Sequence, residues 1–348
     1  MQIMFYHMYR ILILLVLIVQ CVLPVRGAGD ASWQPDLLGD GYEMRRLDQG
    51  TDYSGPVVST IIRKCVADTV AGGVRRGVLY VHGFNDYFFN ADMGDRFVAH
   101  GYDFYAVDLR KYGRSILKGQ RMFEVRDISE YYPDIDSALV IMRRSGIDEV
   151  VLMGHSTGGL ITACFMASSS AGKVDALILN SPFLDWNLGW KEKLVPLISW
   201  IGGIFPDMPI SQGKSTAYAE SLLKRYHGYW NYDTQWKLQQ SPDVTAGWVR
   251  AIDRAQRSLR DGKAKIRVPI LLMYSAESVT GDTWTPEHNK ADGVLDVRDI
   301  RRYGLMLGPD VTCIKVVGGL HDLMLSDPRL LSVLYPRIFA WLCKVLPE

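Results

Sequence analysis

Val150-Val151-Leu152-Met153-Gly154-His155-Ser156-Thr157-Gly158-Gly159-Leu160-Ile161-Thr162-Ala163 is the stretch on which the reading of this chain turns. Four apolar residues run into a serine flanked by glycines, and small and apolar residues run out of it. The first half reads as a buried strand and the second as a helix, so Ser156 stands on a tight strand-to-helix turn. Gly154 and Gly158 let the backbone make that turn without Cβ clashes. A G-x-S-x-G is weak on its own. Between such a strand and such a helix it presents a nucleophilic hydroxyl beside a helix N-terminus, which faces developing negative charge.

A hydroxyl attacks poorly until a base takes its proton, and the base needs an acid to orient it. The histidine placed for that work is His321, in Gly318-Gly319-Leu320-His321-Asp322. His7 falls in the N-terminal leader, His100 ends a helix, and His227 and His288 lie in cap or loop segments. His155 reads as a packed or hydrogen-bonded neighbour. Upstream, Leu79-Tyr80-Val81-His82-Gly83-Phe84 is a strand ending in His-Gly. The N–H groups of Phe84 and Thr157 are the pair expected to hold an oxyanion.

Outward from these motifs the chain alternates strand-like and helix-like stretches, which argues for a layered α/β fold with a mainly parallel sheet. Strands are expected at Val57 to Arg63, Gly77 to His82, Tyr102 to Asp108, Glu149 to Gly154, Val174 to Asn180, Pro269 to Tyr274 and Val311 to Val317. Helices are expected at Ala91 to Ala99, Ile128 to Arg144, Gly158 to Ser168, Val297 to Met306 and Leu330 to Val345. Ile135, Leu139 and Met142 form one apolar stripe, and Arg143, Arg144 and Gly146 a stop signal. Between 185 and 267 the rhythm breaks. Trp186, Trp190, Trp200, Trp230, Trp236 and Trp248 fall there, with Pro196, Pro206, Pro209 and Pro242 dividing the segment. It reads as an inserted helical cap whose rings mostly pack its own core.

The 348 residues carry 39 Lys+Arg against 38 Asp+Glu, a formal charge of +1, with 48% hydrophobic residues. That balance gives no electrostatic footprint for nucleic acid, and the composition excludes disorder. Residues 1–29 are different: Arg10 precedes an apolar run from Ile11 to Val25, about 15 residues, short of the ~20 needed to span a bilayer. They read as a signal peptide, with cleavage near Gly27-Ala28-Gly29, and point to export, secreted or periplasmic. The alternative is an anchor formed by residues 11–25. Cys65, Cys164, Cys313 and Cys343 are far apart with no C-x-x-C pair, so no zinc site is indicated and small core residues are expected. No phosphate loop or dinucleotide fingerprint is present. No metal or organic cofactor is expected.

His82-Gly83-Phe84, then Gly154-His155-Ser156-Thr157-Gly158-Gly159, then a late His321, resembles the α/β-hydrolase superfamily. Within it the chain is most similar to the monoacylglycerol lipase, lysophospholipase and serine-aminopeptidase-like branch, over about Gly77 to Pro347. Asp108-Leu109-Arg110-Lys111-Tyr112-Gly113-Arg114-Ser115 resembles a segment of that branch but carries Lys111 and Tyr112 where Gly-His is usual. The resemblance implies an eight-stranded, mostly parallel sheet flanked by helices, with a cap over the site. It also implies hydrolysis of a carboxylic ester or related acyl bond.

The acid is expected at Asp292, because Ala291-Asp292-Gly293-Val294-Leu295-Asp296-Val297 resembles the acid-bearing loop of the branch. It precedes His321 by 321 − 292 = 29 residues, room for one helix and one strand. Glu277, close to the strand end at Tyr274, stays open. Asp296 has a competing task as a helix N-cap. Asp185 would serve a shifted arrangement, and Asp322 is expected to be solvent-exposed.

The leading reading is therefore a serine hydrolase acting on an ester or lipid, in which Ser156, His321 and Asp292 cooperate and Phe84 and Thr157 hold the oxyanion. Association with a membrane surface, through substrate or an uncut leader, belongs to the same reading. One alternative is an aminopeptidase or amidase holding a substrate ammonium through Glu192, Glu220 or Asp233. Another, from a different class, is a non-catalytic ligand-binding relative.

Overall fold

Alternate residues of Val78-Leu79-Tyr80-Val81 point to opposite faces of a strand, and each face finds its own apolar layer. The computed structural model describes residues 32–67, 73–168, 173–262 and 265–347. The leader expected at 1–29 lies outside them. The strands are β1 (Gln34–Pro35), β2 (Glu43–Asp52), β3 (Gly55–Lys64), β4 (Arg76–Val81), β5 (Tyr102–Asp108), β6 (Glu149–His155), β7 (Ala176–Asn180), β8 (Pro209–Ile210), β9 (Val244–Thr245), β10 (Ile270–Ser275) and β11 (Val311–Val316). The α-helices are α1 (Ala91–Ala99), α2 (Tyr132–Arg144), α3 (Thr157–Ala167), α4 (Val195–Ile201), α5 (Ala217–Leu222), α6 (Ala246–Arg260), α7 (Val297–Gly304) and α8 (Pro328–Val345).

One sheet runs in the order β1-β2-β3-β5-β4-β6-β7-β10-β11. From β5 to β11 all neighbours are parallel, while β1, β2 and β3 pair antiparallel. The expected eight full strands are present, and the two-residue β1 extends the edge. Strands in the parallel centre are almost wholly buried, as crossover helices require. On one face Leu79, Val81, Leu152, Leu177 and Leu272 pack against α2, α3 and α6. On the other, Val78, Tyr80, Met153, Ile178 and Met273 pack against α1 and α8.

The anticipated strands and helices form within a few residues of their expected ends, and α2 stops at Arg144 with Gly146 at φ +84°. Two elements depart from expectation. β2, Glu-Met-Arg-Arg-Leu-Asp-Gln-Gly-Thr-Asp, buries only Leu47, so no apolar alternation announced it. α6 is a 15-residue helix, capped where Thr245 accepts from the Trp248 N–H, inside a segment expected to hold short pieces. Its Trp248, Val249, Ile252, Ala255 and Leu259 join the main core. The insertion between β7 and β10 thus returns to the body of the fold at Thr245. Among the cap tryptophans, Trp190 and Trp200 are exposed rather than packed. The four described cysteines are free; Cys164 is buried and Cys65 half-buried, but Cys313 and Cys343 are exposed, contrary to the core placement expected of them.

Buried charges tie the N-terminal segment to the sheet. The Arg114 guanidinium donates to Asp36 at 2.7 and 2.8 Å and to Asp108 at 2.9 Å, all three side chains buried. Arg114→Met leaves two buried carboxylates without their cation. The expected cost is about 3–5 kcal/mol, read as a lowered urea midpoint; an unchanged midpoint would show that the network is neutral.

Candidate active site

β6 ends at His155 and α3 begins at Thr157, so Ser156 alone makes the turn, at φ +52° and ψ −118°. A non-glycine residue there is strained by ~1–3 kcal/mol and persists only when its surroundings fix it. They do. A Cβ on Gly158 would lie 2.3 Å from the His82 carbonyl oxygen, and one on Gly154 would lie 2.4 Å from Thr162 Oγ1. Only glycine admits this approach of α3 to β4 and β6.

Asn180, the last residue of β7, holds both sides of the site. Its carbonyl accepts from the Ser156 N–H at 3.0 Å and from His155 Nδ1–H at 3.2 Å. Its side-chain amide donates to Asp322 Oδ1 at 2.7 Å and accepts from the Leu323 N–H at 3.2 Å. The loops carrying Ser156 and His321 are thereby fixed to one residue.

His321 lies between Ser156 and Asp292, all three buried. Its Nδ1 is 2.9 Å from Asp292 Oδ2 and its Nε2 is 2.9 Å from Ser156 Oγ. An ionised carboxylate only accepts, so Nδ1 carries the proton and Nε2 receives the Ser156 hydroxyl. Asp292 Oδ1 accepts from the Val294 and Leu295 N–H groups, each at 2.8 Å, which sets the plane of the carboxylate. The other acids are elsewhere. Glu277 is exposed and contributes its carbonyl to the Asp292 N–H at 2.8 Å. Asp296 caps α7, accepting from the Arg298 N–H, and its carboxyl lies below the usual range because of the Arg298 side chain. Asp185 pairs with Arg260. Asp322 is buried, not exposed as expected, because the Asn180 amide and the Met324 N–H donate to its carboxylate.

Phe84 and Thr157 line the same cavity as Ser156 and His321, with Thr157 as the first residue of α3. The cavity encloses about 1030 Å³ including its open mouth. Its apolar lining includes Phe183, Trp186, Trp248, Val294 and Leu295, and its polar lining includes Asn85, Asp86, Tyr218, Tyr232 and Lys237. Glu192, Glu220 and Asp233 do not line it. Asn85, Asp86 and Lys237 were not anticipated. The pair Asn85-Asp86, polar directly after His-Gly-Phe, carried a readable signal, whereas the lone Lys237 carried none.

Lys237 Nζ lies 2.8 Å from Asp86 Oδ1, both buried. Asp86, His155 and Asp322 present possible metal-ligand atoms within 4.8 Å of one another. The Lys237 ammonium already supplies positive charge to that group. His155 itself is held below its ordinary imidazole value by burial, against the pull of Asp322.

The fold and the site define an α/β hydrolase. The sequence profile described as Serine aminopeptidase, S33 (Hydrolase_4) matches residues 72–283. This chain belongs to that family. The AB hydrolase superfamily protein YisY of Bacillus subtilis (strain 168) is 31% identical over 111 residues, which are 31% of this chain and 38% of that protein. A soluble variant of monoglyceride lipase from Saccharomyces cerevisiae superposes with a TM-score of 0.60 at 15% identity, over 87% of this chain and 96% of that one. A monoacylglycerol lipase from Paleococcus ferrophilus gives 0.56 at 19%, over 87% and 99%. A carboxyl esterase from Bacillus coagulans gives 0.60 at 12%, over 87% and 98%. These structures share the fold.

Because burial lowers the pKa of His155 in the folded protein, the unfolded chain binds more protons at this residue below the ordinary imidazole value of 6.5. Stability therefore rises with pH through the window below 6.5, and is lost as the medium acidifies into it. Melting curves between about pH 7 and about pH 5 should fall less steeply for His155→Gln than for the native protein. Parallel curves would contradict this.

Proposed function

We propose that the protein is a serine hydrolase that cleaves a carboxylic ester with an apolar acyl group through an acyl-enzyme. The observation that carries the reading is the unbroken hydrogen-bonded chain from Asp292 through His321 to Ser156, in a cavity that Ser156 and His321 line together with Phe84, Phe183, Trp186 and Trp248. Ser156 Oγ attacks the acyl carbon while its proton passes to His321 Nε2. The carbonyl oxygen becomes an oxyanion facing the Phe84 and Thr157 N–H groups. Collapse breaks the bond to the alcohol oxygen, which takes the proton from His321. Water then attacks the acyl-enzyme, giving its proton to His321, and the acid leaves as Ser156 recovers the proton. Asp292 stabilises the imidazolium and its orientation.

The family description keeps an aminopeptidase in view. Such an enzyme needs a free carboxylate for the substrate ammonium. Among the described lining residues Asp86 is the one carboxylate, and Lys237 already occupies it. The ester reading is therefore preferred. A lipid-like substrate also suits the cavity rim. Leu188 lines the cavity, and beyond it Trp190, Leu194, Leu197, Trp200 and Phe205 are exposed, a larger apolar ridge than a water-facing helix requires. Among the described residues no helix is long and apolar enough to cross a membrane. Contact with a lipid surface through this ridge, and export directed by residues 1–29, are parts of the same proposal.

Ser156→Ala should abolish hydrolysis of p-nitrophenyl esters with melting unchanged, and a fluorophosphonate should label Ser156. Turnover retained in that variant would move the nucleophile elsewhere. Asp292→Asn should lose about 10⁴ in kcat, with Glu277→Gln and Asp296→Asn near native. A crippled Glu277→Gln beside an active Asp292→Asn would reassign the acid. Native protein should hydrolyse a long-chain ester faster once it forms micelles, and Trp190→Ser with Trp200→Ser should remove that acceleration while sparing p-nitrophenyl acetate. Equal loss on both esters would give the ridge a purely structural task.

A further inference from the structure

The Phe84 N–H lies on the loop that follows β4, and the residues directly after it reach into the cap. Asn85, at φ +51°, donates from Nδ2 to the Leu238 carbonyl and accepts at Oδ1 from the Leu238 N–H, both at 2.8 Å. Its side chain therefore pairs with Leu238 as a neighbouring strand would. Asp86 holds Lys237. The Tyr87 hydroxyl accepts from the Asp233 N–H at 2.8 Å, and the Tyr87 ring meets Trp236 edge-on at 5.1 Å. Phe89 packs on Tyr232 at 5.1 Å. Loop residues 85–89 thus hold one cap stretch, 232–238. The other side of the loop is fixed to the sheet, where the Phe88 N–H donates to Asp108 Oδ1 at 2.8 Å.

We infer that Asn85 is a positioning residue: through Leu238 it anchors the backbone directly after Phe84, while the His82 ring holds the Gly83 carbonyl before it, so that the orientation of the Phe84 N–H depends on the cap wall and the two form one unit. The inference rests on the reading of Phe84 given above. Tyr232, Lys237 and Leu238 also line the cavity. A substrate group that touches these residues therefore bears on the same stretch that sets the donor. Mismatch there is read in the rate of the chemical step more than in ground-state binding, because the donor acts on charge that exists only in the transition state. The geometry is demanding, since a displacement of about 1 Å in a catalytic group costs up to ~10²-fold.

The test is steady-state kinetics of Asn85→Ala and Tyr87→Phe on one soluble ester, with melting curves and the affinity of an alkyl boronic acid, whose serine adduct places an oxygen where the oxyanion forms. For Asn85→Ala, kcat should fall by about 10- to 100-fold with KM within about twofold, and boronate affinity should fall with kcat. Tyr87→Phe keeps the ring and removes the acceptor for Asp233; it should show a smaller loss in the same direction and decides the matter if Asn85→Ala does not fold. Native kcat and boronate affinity in the folded variants overturn the inference, as does a change confined to KM. Failure of the underlying reading looks different: the native protein then neither hydrolyses esters nor takes fluorophosphonate at Ser156.

Discussion

The approach of α3 to the ends of β4 and β6 is the constraint on which the rest of this molecule depends. With no Cβ at Gly154 or Gly158, the helix N-terminus sits against the His82 and Val81 carbonyls. Ser156 is then held in a backbone conformation that a free chain would avoid. The same contact brings β4's exit loop beside Ser156, so the nucleophile and oxyanion donors proposed here would follow from one packing event. The strain at one residue, of order 1–3 kcal/mol, is small beside the buried strands that maintain it.

Buried charge is handled by pairing throughout the sheet's N-terminal half. Lys111 and Tyr112, which depart from the pattern of the similar lipases, illustrate this. Lys111 is buried with its Nζ 2.6 Å from Asp52, at the turn between β2 and β3, and 4.2 Å from the centre of the Tyr53 ring. Tyr112 packs on His82 and Tyr131. Arg110 joins Asp134 at the start of α2. The departures therefore serve the junction of sheet, hairpin and helix, while the His82 ring keeps its own bonds to the Gly83 carbonyl and the Leu109 N–H.

Much of this architecture was legible because local pattern and global burial agree there. Runs such as Val150 to Met153 can only be central strands, and glycines around a serine at their end have one economical use. The strand β2 was hidden because an outer antiparallel strand needs little apolar surface. The helix α6 was hidden differently: Trp248, Val249, Ile252, Ala255 and Leu259 recur at helical spacing, but the surrounding prolines and aromatics masked the period. Asp322 was misplaced because a carboxylate beside a histidine reads as solvated until Asn180, 142 residues away in sequence, is seen to bind it. Long-range partners of this kind, Lys237 with Asp86 included, leave no mark on the local sequence.

Asn180 has a consequence for how this fold tolerates change. The serine and histidine are 165 residues apart along the chain, yet one amide side chain and one carbonyl at the end of β7 act as the gauge between their loops. Everything that the chain inserts after β7 lies downstream of that gauge. Outside the stretch 232–238 that holds Asn85, the cap can therefore lengthen or shrink without resetting the distance between the Ser156 hydroxyl and the His321 imidazole.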